Sequence, residues 1–445
     1  MPVLDESGGK YRLVLQEDGN FVVRRVEDNK TVTWLGPDPD WRRPDPDPDP
    51  DPIPLPGRGP VTLDGNVFRD NLGRFRGFGV TLFWALWGAR YDLPHLERTL
   101  DWLQQYDVNY ARILTNTDRE GSRIDPYYDT GGLDAHFAAQ DVLFDELKAR
   151  GMRVQPVLFS GGEVVPPTLR DAWVMRNAAY LNPRRKHVQF IEIGNEFLKP
   201  VHGITEDDLF RWVALWKEHS DIPVAPTAPE ENDKGGRAVF NRWDREGRYY
   251  NVKTPHLPRH GDVRPWRQGY HLRDHAFWVN NEPRVEPDAG LRAIGMAIDT
   301  MSHAGGGIVH WSDSGVHNRI PFWVEPGAQA VMVACREMHR LLPVDLAHAP
   351  MWGAGKGDHP YDDHDPDQEQ RVRCYGAGPV DGHYFVAVLG QQDSYEVKAR
   401  FDMRVDVFDA TDVSQRWDFL ELREGEHHTY RHAGHYLHRI TRRDG

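Results

Sequence analysis

A chain of 445 residues, 39% of them apolar and 11% aromatic, carries enough core-forming side chains to exclude a disordered polypeptide, and it is long enough for two or three domains. The formal net charge of −14 excludes the clustered positive charge that nucleic acid or an anionic membrane surface requires. Two cysteines, Cys335 and Cys374, exclude a disulfide framework but leave a single bridge open.

The start, MPVLDESGGK, has no apolar h-region, and nowhere does the chain approach the roughly 18 apolar residues of a membrane span. The expectation is a protein without a conventional export signal: cytoplasmic, or released by lysis or carried on a virus particle. Residues 1–36 include YRLVLQEDGNFVVRRV, in which apolar residues alternate around Asp-Gly. That pattern predicts a β-hairpin, and KTVTW predicts a third strand. Gln16, Asp18, Asn20 and Val22 resemble the QxDxNxVxY signature of the bulb-type mannose-binding lectins over this short stretch. Arg24 stands where that family has Tyr, and one such repeat occurs where the family uses three. A structural or tethering hairpin is therefore the preferred reading, with a sugar site as the alternative.

Residues 37–60 contain PDPDWRRPDPDPDPDPIPLP. Proline at every second position forbids helix, and alternating aspartate keeps the segment solvated and self-repelling. A stiff extended spacer is predicted, an arm suited to hanging the chain from a larger assembly.

From residue 61 to 343, short apolar runs alternate with longer helical patterns, the signature of βα units around a parallel sheet. The runs are FRGFGVTLF, VNYARIL, MRVQPVLF, VQFIEIG, IPVAPT, YYNVKT, HAFWVNN and GGIVHWS. The helical patterns are LPHLERTLDWLQQY, LDAHFAAQDVLFDELKARG, LRDAWVMRNAAYL, EDDLFRWVALWKEH, AGLRAIGMAIDTMSHA and AQAVMVACREMHRLL. The second of these places Leu133, Phe137, Leu143 and Leu147 near one face and stops at Gly151, a natural cap. Eight strands with intervening helices predict a (β/α)8 barrel rather than an open doubly wound sheet. The pattern is least clear in the fifth and sixth units, where Pro and Arg intrude. Residues 344–445 carry short alternating segments such as RVRCYGAG, HYFVAVLG, YEVKARFDM and RVDVFDAT, which predict a C-terminal β-sandwich.

In such a barrel the reactive groups sit at the C-terminal ends of the strands. Strand two ends near Arg112 and Asn116, and strand four ends in Asn195-Glu196. Strand six runs into His256, strand seven ends on Asn281-Glu282, and strand eight ends at Trp311 followed by Ser312 and Asp313. Trp84 and Trp87 follow strand one. Two glutamates on opposite walls are what cleavage of a glycosidic bond needs. Rival carboxylates, Glu163, Glu230 and Glu231, follow strands three and five and are less well placed.

Together, IEIGNE, a carboxylate ending strand seven, an Arg after strand two and a Trp after strand eight resemble the clan A glycoside hydrolases. LDGNVFRDNLGRFRGFGV also resembles the short hairpin that leads into strand one in that group. Strand seven reads NNEP where many members have Thr-Glu followed by Phe-Gly, and HLPRH lacks the aromatic often found near the His. The resemblance implies that Glu196 is the general acid/base and Glu282 the nucleophile of a retaining enzyme that cleaves a poly- or oligosaccharide. It further implies that Asn195 bonds the substrate 2-hydroxyl, that Arg112 pairs with Glu282, that His256 positions a carboxylate and that Trp311 floors the sugar subsite. Trp84 is expected to reach the cleft. Retention follows if the two carboxyl groups lie roughly 5 Å apart. Negative charge on Glu282 would hold Glu196 protonated until the nucleophile is glycosylated.

Each residue also has a purely structural reading: Arg112 as an internal ion pair, His256 as a packed or capping side chain, the tryptophans as core. The alternative function is a glycan-binding or assembly protein that keeps the barrel without turnover. No cofactor or metal is expected: GAGKGD (353–358) lacks phosphate-loop spacing, and DHPYDDHDPDQE (358–369) lacks that of a calcium loop.

Overall fold

The computed structural model describes residues 11–15, 21–25, 31–34, 58–119, 121–160, 164–196, 204–227, 237–256, 277–280, 288–353, 357–362, 372–390, 395–430 and 434–443. Contacts divide the chain into two units, Met1–Pro52 and Ile53–Gly445.

In the first unit, β1 (Tyr11–Leu15), β2 (Phe21–Arg25) and β3 (Thr31–Trp34) form the antiparallel meander that the alternation predicts. Tyr11 pairs with Arg25 and Leu15 with Phe21. Gln16, Asp18 and Asn20 lie outside the described residues, as does the spacer from 35 to 57.

The second unit begins with β4 (Thr62–Asp64), β5 (Val67–Asp70) and β6 (Gly73–Phe75), a three-stranded antiparallel sheet. Its Val61 and Phe68 pack with Phe190, Ala225, Val252, Phe277 and Val279. The hairpin thus closes the N-terminal mouth of the barrel with apolar bulk.

The barrel strands are β7 (Gly77–Thr81), β8 (Tyr110–Leu114), β9 (Arg153–Phe159), β10 (Ile191–Gly194), β11 (Val224–Thr227), β12 (Val252–Lys253), β13 (Phe277–Asn280) and β14 (Ala304–Val309). Each coincides with one of the eight predicted runs. They form a parallel sheet in the order β11-β10-β9-β8-β7-β14-β13-β12. Between β11 and β12, closure rests on Asn251, whose N–H donates to the Val224 carbonyl at 2.9 Å and whose Oδ1 accepts the Val224 N–H at 3.1 Å. Small residues make room where rings fill the interior. A Cβ on Gly79 would overlap the Tyr110 ring, and one on Gly305 would overlap Phe277.

Around the barrel lie α1 (Ala85–Tyr91), α2 (Leu93–Gln104), α3 (Gly132–Ala149), α4 (Arg170–Leu181), α5 (Glu206–His219), α6 (Arg237–Arg245), α7 (Ala289–Met301) and α8 (Ala328–Leu341). The start of α5 is fixed by a capping box between Thr205 and Asp208, and Gly151, at φ +72°, follows the end of α3. Much of the tryptophan content is spent here. Trp173, Trp212, Trp216, Trp243 and Trp278 are fully buried. Trp173 also donates its indole N–H to the Leu158 carbonyl, clipping α4 to β9, and Trp216 donates to the Ile222 carbonyl in the loop between α5 and β11.

The C-terminal segment contains β15 (Met351–Gly353), β16 (Val372–Val380), β17 (His383–Gly390), β18 (Tyr395–Lys398), β19 (Met403–Asp409), β20 (Asp418–Leu422), β21 (His427–Tyr430) and β22 (His435–Arg442). Six of them form an antiparallel sheet, and β18 pairs with β21 as a second, two-stranded sheet. Along β17 the faces alternate. Tyr384, Val386 and Val388 join the core shared with Val397 of β18, while Phe385, Ala387 and Leu389 pack with Ile294 and Ile298 of α7. The sheet is therefore the middle of three layers. Cys335 in α8 and Cys374 in β16 are both free, so the bridge left open by the sequence is absent.

Candidate active site

Arg112 on β8 and Glu192 on β10 point into the barrel and are wholly buried. The guanidinium Nε and Nη2 donate to Glu192 Oε2 at 3.0 and 2.8 Å. Nη2 also donates to Asn195 Oδ1 at 2.8 Å, and the guanidinium lies 5.0 Å over the Phe83 ring. Thr254, just past β12, donates its hydroxyl to Glu192 Oε1 at 3.0 Å, and Gln155 on β9 reaches Oε2 at 3.5 Å. A buried carboxylate and a buried guanidinium thus answer each other with several hydrogen bonds, which desolvated charges require. Removing either partner alone from such a pair typically costs about 3–5 kcal/mol.

Immediately above this layer, the Asn195 N–H still bonds to the Phe159 carbonyl at 2.9 Å, extending the β9–β10 pairing by one residue. The chain then turns at Glu196 with φ +53°, the left-handed region that a non-glycine side chain enters rarely. The turn leaves the Glu196 carboxylate 18% exposed, with His256 Nδ1 at 3.3 Å from Oε1. His256 itself is 3% exposed, held two residues beyond the Thr254 that bonds Glu192. Strand ends four and six therefore bring Glu196, Asn195 and His256 together over one buried ion pair. A carboxylate that is part exposed, rigidly mounted and in reach of an imidazole can exchange a proton with a bound ligand.

Other predicted residues stand elsewhere. Glu282, two positions beyond the end of β13, lies outside the described residues, as do Asn281, Glu163, Glu230 and Glu231. Asn116 is buried, donating to the Leu158 carbonyl at 2.6 Å and accepting from the Ser160 hydroxyl at 3.3 Å, so it ties two strand ends together.

The two tryptophans differ from expectation. Trp84 is 1% exposed, its indole N–H donates to the Ser314 carbonyl at 2.7 Å, and its ring stacks on His95 at 4.8 Å between centroids. Trp311 is 2% exposed and meets Phe322 edge-on at 5.6 Å. Both belong to the large apolar cluster between barrel and helices, which takes their faces in place of a ligand. The reason lies in the backbone after β14. Residues Ser312–Val316 form a π-helix in which the Gly315 and Val316 N–H groups both bond to the Trp311 carbonyl. That turn also brings the Ser314 carbonyl to Trp84.

Glu192 is the site residue that sequence reasoning missed. Its signal was present: a carboxylate between Ile191 and Ile193 in an apolar run demands a buried cation, and Arg112 in YARIL is the matching one.

The fold is that of the (β/α)8-barrel glycoside hydrolases with additional β domains. A solved structure described as a glycoside hydrolase aligns with a TM-score of 0.63 at 9% identity, covering 87% of this chain and 98% of its own. A glycoside hydrolase family 5 structure from Bacteroides vulgatus aligns with a TM-score of 0.62 at 10% identity, over 86% of this chain and 93% of its own. A further structure from the same organism aligns at 0.59 and 15% identity, over 87% and 83%. No protein-family model and no curated protein matches the sequence.

Proposed function

We propose that the protein is a retaining glycoside hydrolase, cleaving an O-glycosidic bond of a poly- or oligosaccharide by double displacement. The observation that carries this reading is Glu196: a carboxylate at the C-terminal end of the fourth barrel strand, held in a left-handed turn 3.3 Å from His256. The barrel's likeness to glycoside hydrolases is consistent with it. In this reading Glu196 protonates the departing glycosidic oxygen, and Glu282 attacks the anomeric carbon to form a glycosyl-enzyme. Glu196 then takes a proton from the water that hydrolyses the intermediate. The Asn195 amide donates to a sugar hydroxyl, and His256 holds the Glu196 carboxyl.

The test is reducing-sugar release from a panel of plant, fungal and bacterial polysaccharides, by the intact protein and by its Glu196→Gln and Glu282→Gln variants. Cleavage of one substrate that falls at least about 100-fold in both variants is the expected result. Activity surviving Glu282→Gln moves the nucleophile elsewhere. Silence across the panel, with retention on one immobilised glycan, replaces the enzyme by a glycan-binding barrel.

A further inference from the structure

We infer that Glu192 is a positioning residue that sets the orientation of both groups flanking Glu196, an inference that rests on the glycosidase reading above. The geometry supplies two branches from one carboxylate. Through Oε2, Glu192 holds Arg112, and the same Nη2 that meets Glu192 at 2.8 Å donates to Asn195 Oδ1 at 2.8 Å. A guanidinium only donates, so it accepts one orientation of the Asn195 amide: oxygen toward Arg112, Nδ2 away from it. Among the described residues Nδ2 has no partner. Asn195 therefore presents donors to the bound sugar because Arg112 forbids the flipped form. Through Oε1, Glu192 accepts from the Thr254 hydroxyl at 3.0 Å, and Thr254 leads by two residues into His256, whose Nδ1 faces Glu196.

Glu192 itself, at 0% exposure beneath this layer, has no access to substrate. It is not a third candidate for the chemistry. Its charge neutralises Arg112 and its two oxygens lock strand ends two, four and six into one register. Displacing a reacting group by about 1 Å lowers turnover on the order of 100-fold, which is the size of effect a lost anchor produces.

The test uses Glu192→Gln, Asn195→Ala and their double variant on whichever polysaccharide the panel selects, with Thr254→Val as a milder variant that keeps the buried ion pair. In folded Glu192→Gln, kcat is expected to fall about 100-fold with little change in KM. In the Asn195→Ala background the same substitution should then cost less than about 10-fold, because one shared interaction is already gone. Thr254→Val, acting through His256 alone, should lower kcat several-fold and move the pH profile of kcat.

Fully additive losses, or unchanged kcat in both folded Glu192→Gln and Thr254→Val, overturn the inference. A readout independent of turnover is the Asn195 side-chain amide resonance, assigned by its loss in Asn195→Ala. It should shift in Glu192→Gln. If the intact protein cleaves nothing, the glycosidase reading fails, while that resonance still decides the inference: unshifted, it overturns the chain from Glu192 to Asn195. Should Glu192→Gln not fold, Thr254→Val takes its place on the His256 branch, read by kcat and its pH profile, and unchanged turnover there overturns that branch.

Discussion

Glu196 occupies backbone space in which a Cβ crowds the neighbouring carbonyl, a penalty of roughly 1–2 kcal/mol for an ordinary L-residue. Strain of this kind persists only where the surroundings over-determine the conformation, and here the Asn195–Phe159 hydrogen bond on one side fixes the turn. Glu196→Gly should relieve the strain that Glu196→Ala retains. Urea denaturation is expected to show the glycine variant about 1 kcal/mol more stable than the alanine variant, with neither active. Equal midpoints would mean that the turn carries no strain. At this scale the sequence was informative for polar residues and misleading for aromatic ones. Asn195, Glu196 and His256 could be placed from strand ends alone, because a polar group at the rim of a sheet has few structural uses, whereas Arg112 lies inside β8 in the buried layer below. Trp84 and Trp311 could not, since an indole beside a strand end serves a core and a ligand equally well, and the deciding π-helix at Ser312–Val316 leaves no periodic trace.

Elements reveal the same asymmetry. The eight strands and six long helices were legible because burial imposes periods of two and 3.6 on residues that must face a core. α1 and α6 were not. The first is only Ala85–Tyr91, and the second, Arg237–Arg245, carries polar residues around a sparse apolar set that includes the buried Phe240 and Trp243. Nor does a sequence state which glycine is a space requirement. Gly305 on β14 is one: the Phe277 ring from β13 occupies the volume its side chain would need, and that ring is held edge-on against Phe68 at 4.6 Å. Gly305→Ala is expected to destabilise by about 3 kcal/mol, through displacement of a ring that has nowhere to go. Thr205→Ala, which removes the capping box of α5, should cost about 1 kcal/mol on the same denaturation curve. A reversal of that order would put the weak point at the helix cap.

Across the whole molecule, protonation bears on stability through histidines buried in apolar surroundings. Burial pushes His136 and His438 down to about 3 and His359 down to about 4, with Arg90, His428 and Arg400 adding to the effect on each. An unfolded histidine takes up its proton near pH 6.5, so between there and pH 4 the unfolded chain holds more protons than the folded one. Stability is then full above pH 6.5 and falls on acidification, by roughly 1 kcal/mol per pH unit for each such group. Urea midpoints measured from pH 8 to pH 5 should be level at first and drop below pH 6.5; a level line to pH 5 would contradict the buried neutral state. Two of these groups, His359 and His438, are joined through Tyr361, whose hydroxyl lies 2.7 Å from His438 Nδ1 and whose N–H donates to His359 Nδ1 at 3.0 Å. His438 lies on β22 of the six-stranded sheet and Tyr361 in the core on one face of it, the other face being shared with α7. Across the boundary at residue 343 that composition suggests, helix and sheet share one apolar cluster. Phe385, Ala387, Leu389 and Leu437 have α7 as their cover, and α7 has them. A barrel built this way shares part of its packing with the sheet that follows it. Cutting the chain at 343 would strip α7 of its cover and bare an apolar face on either piece, whereas the contacts themselves divide the chain between Pro52 and Ile53.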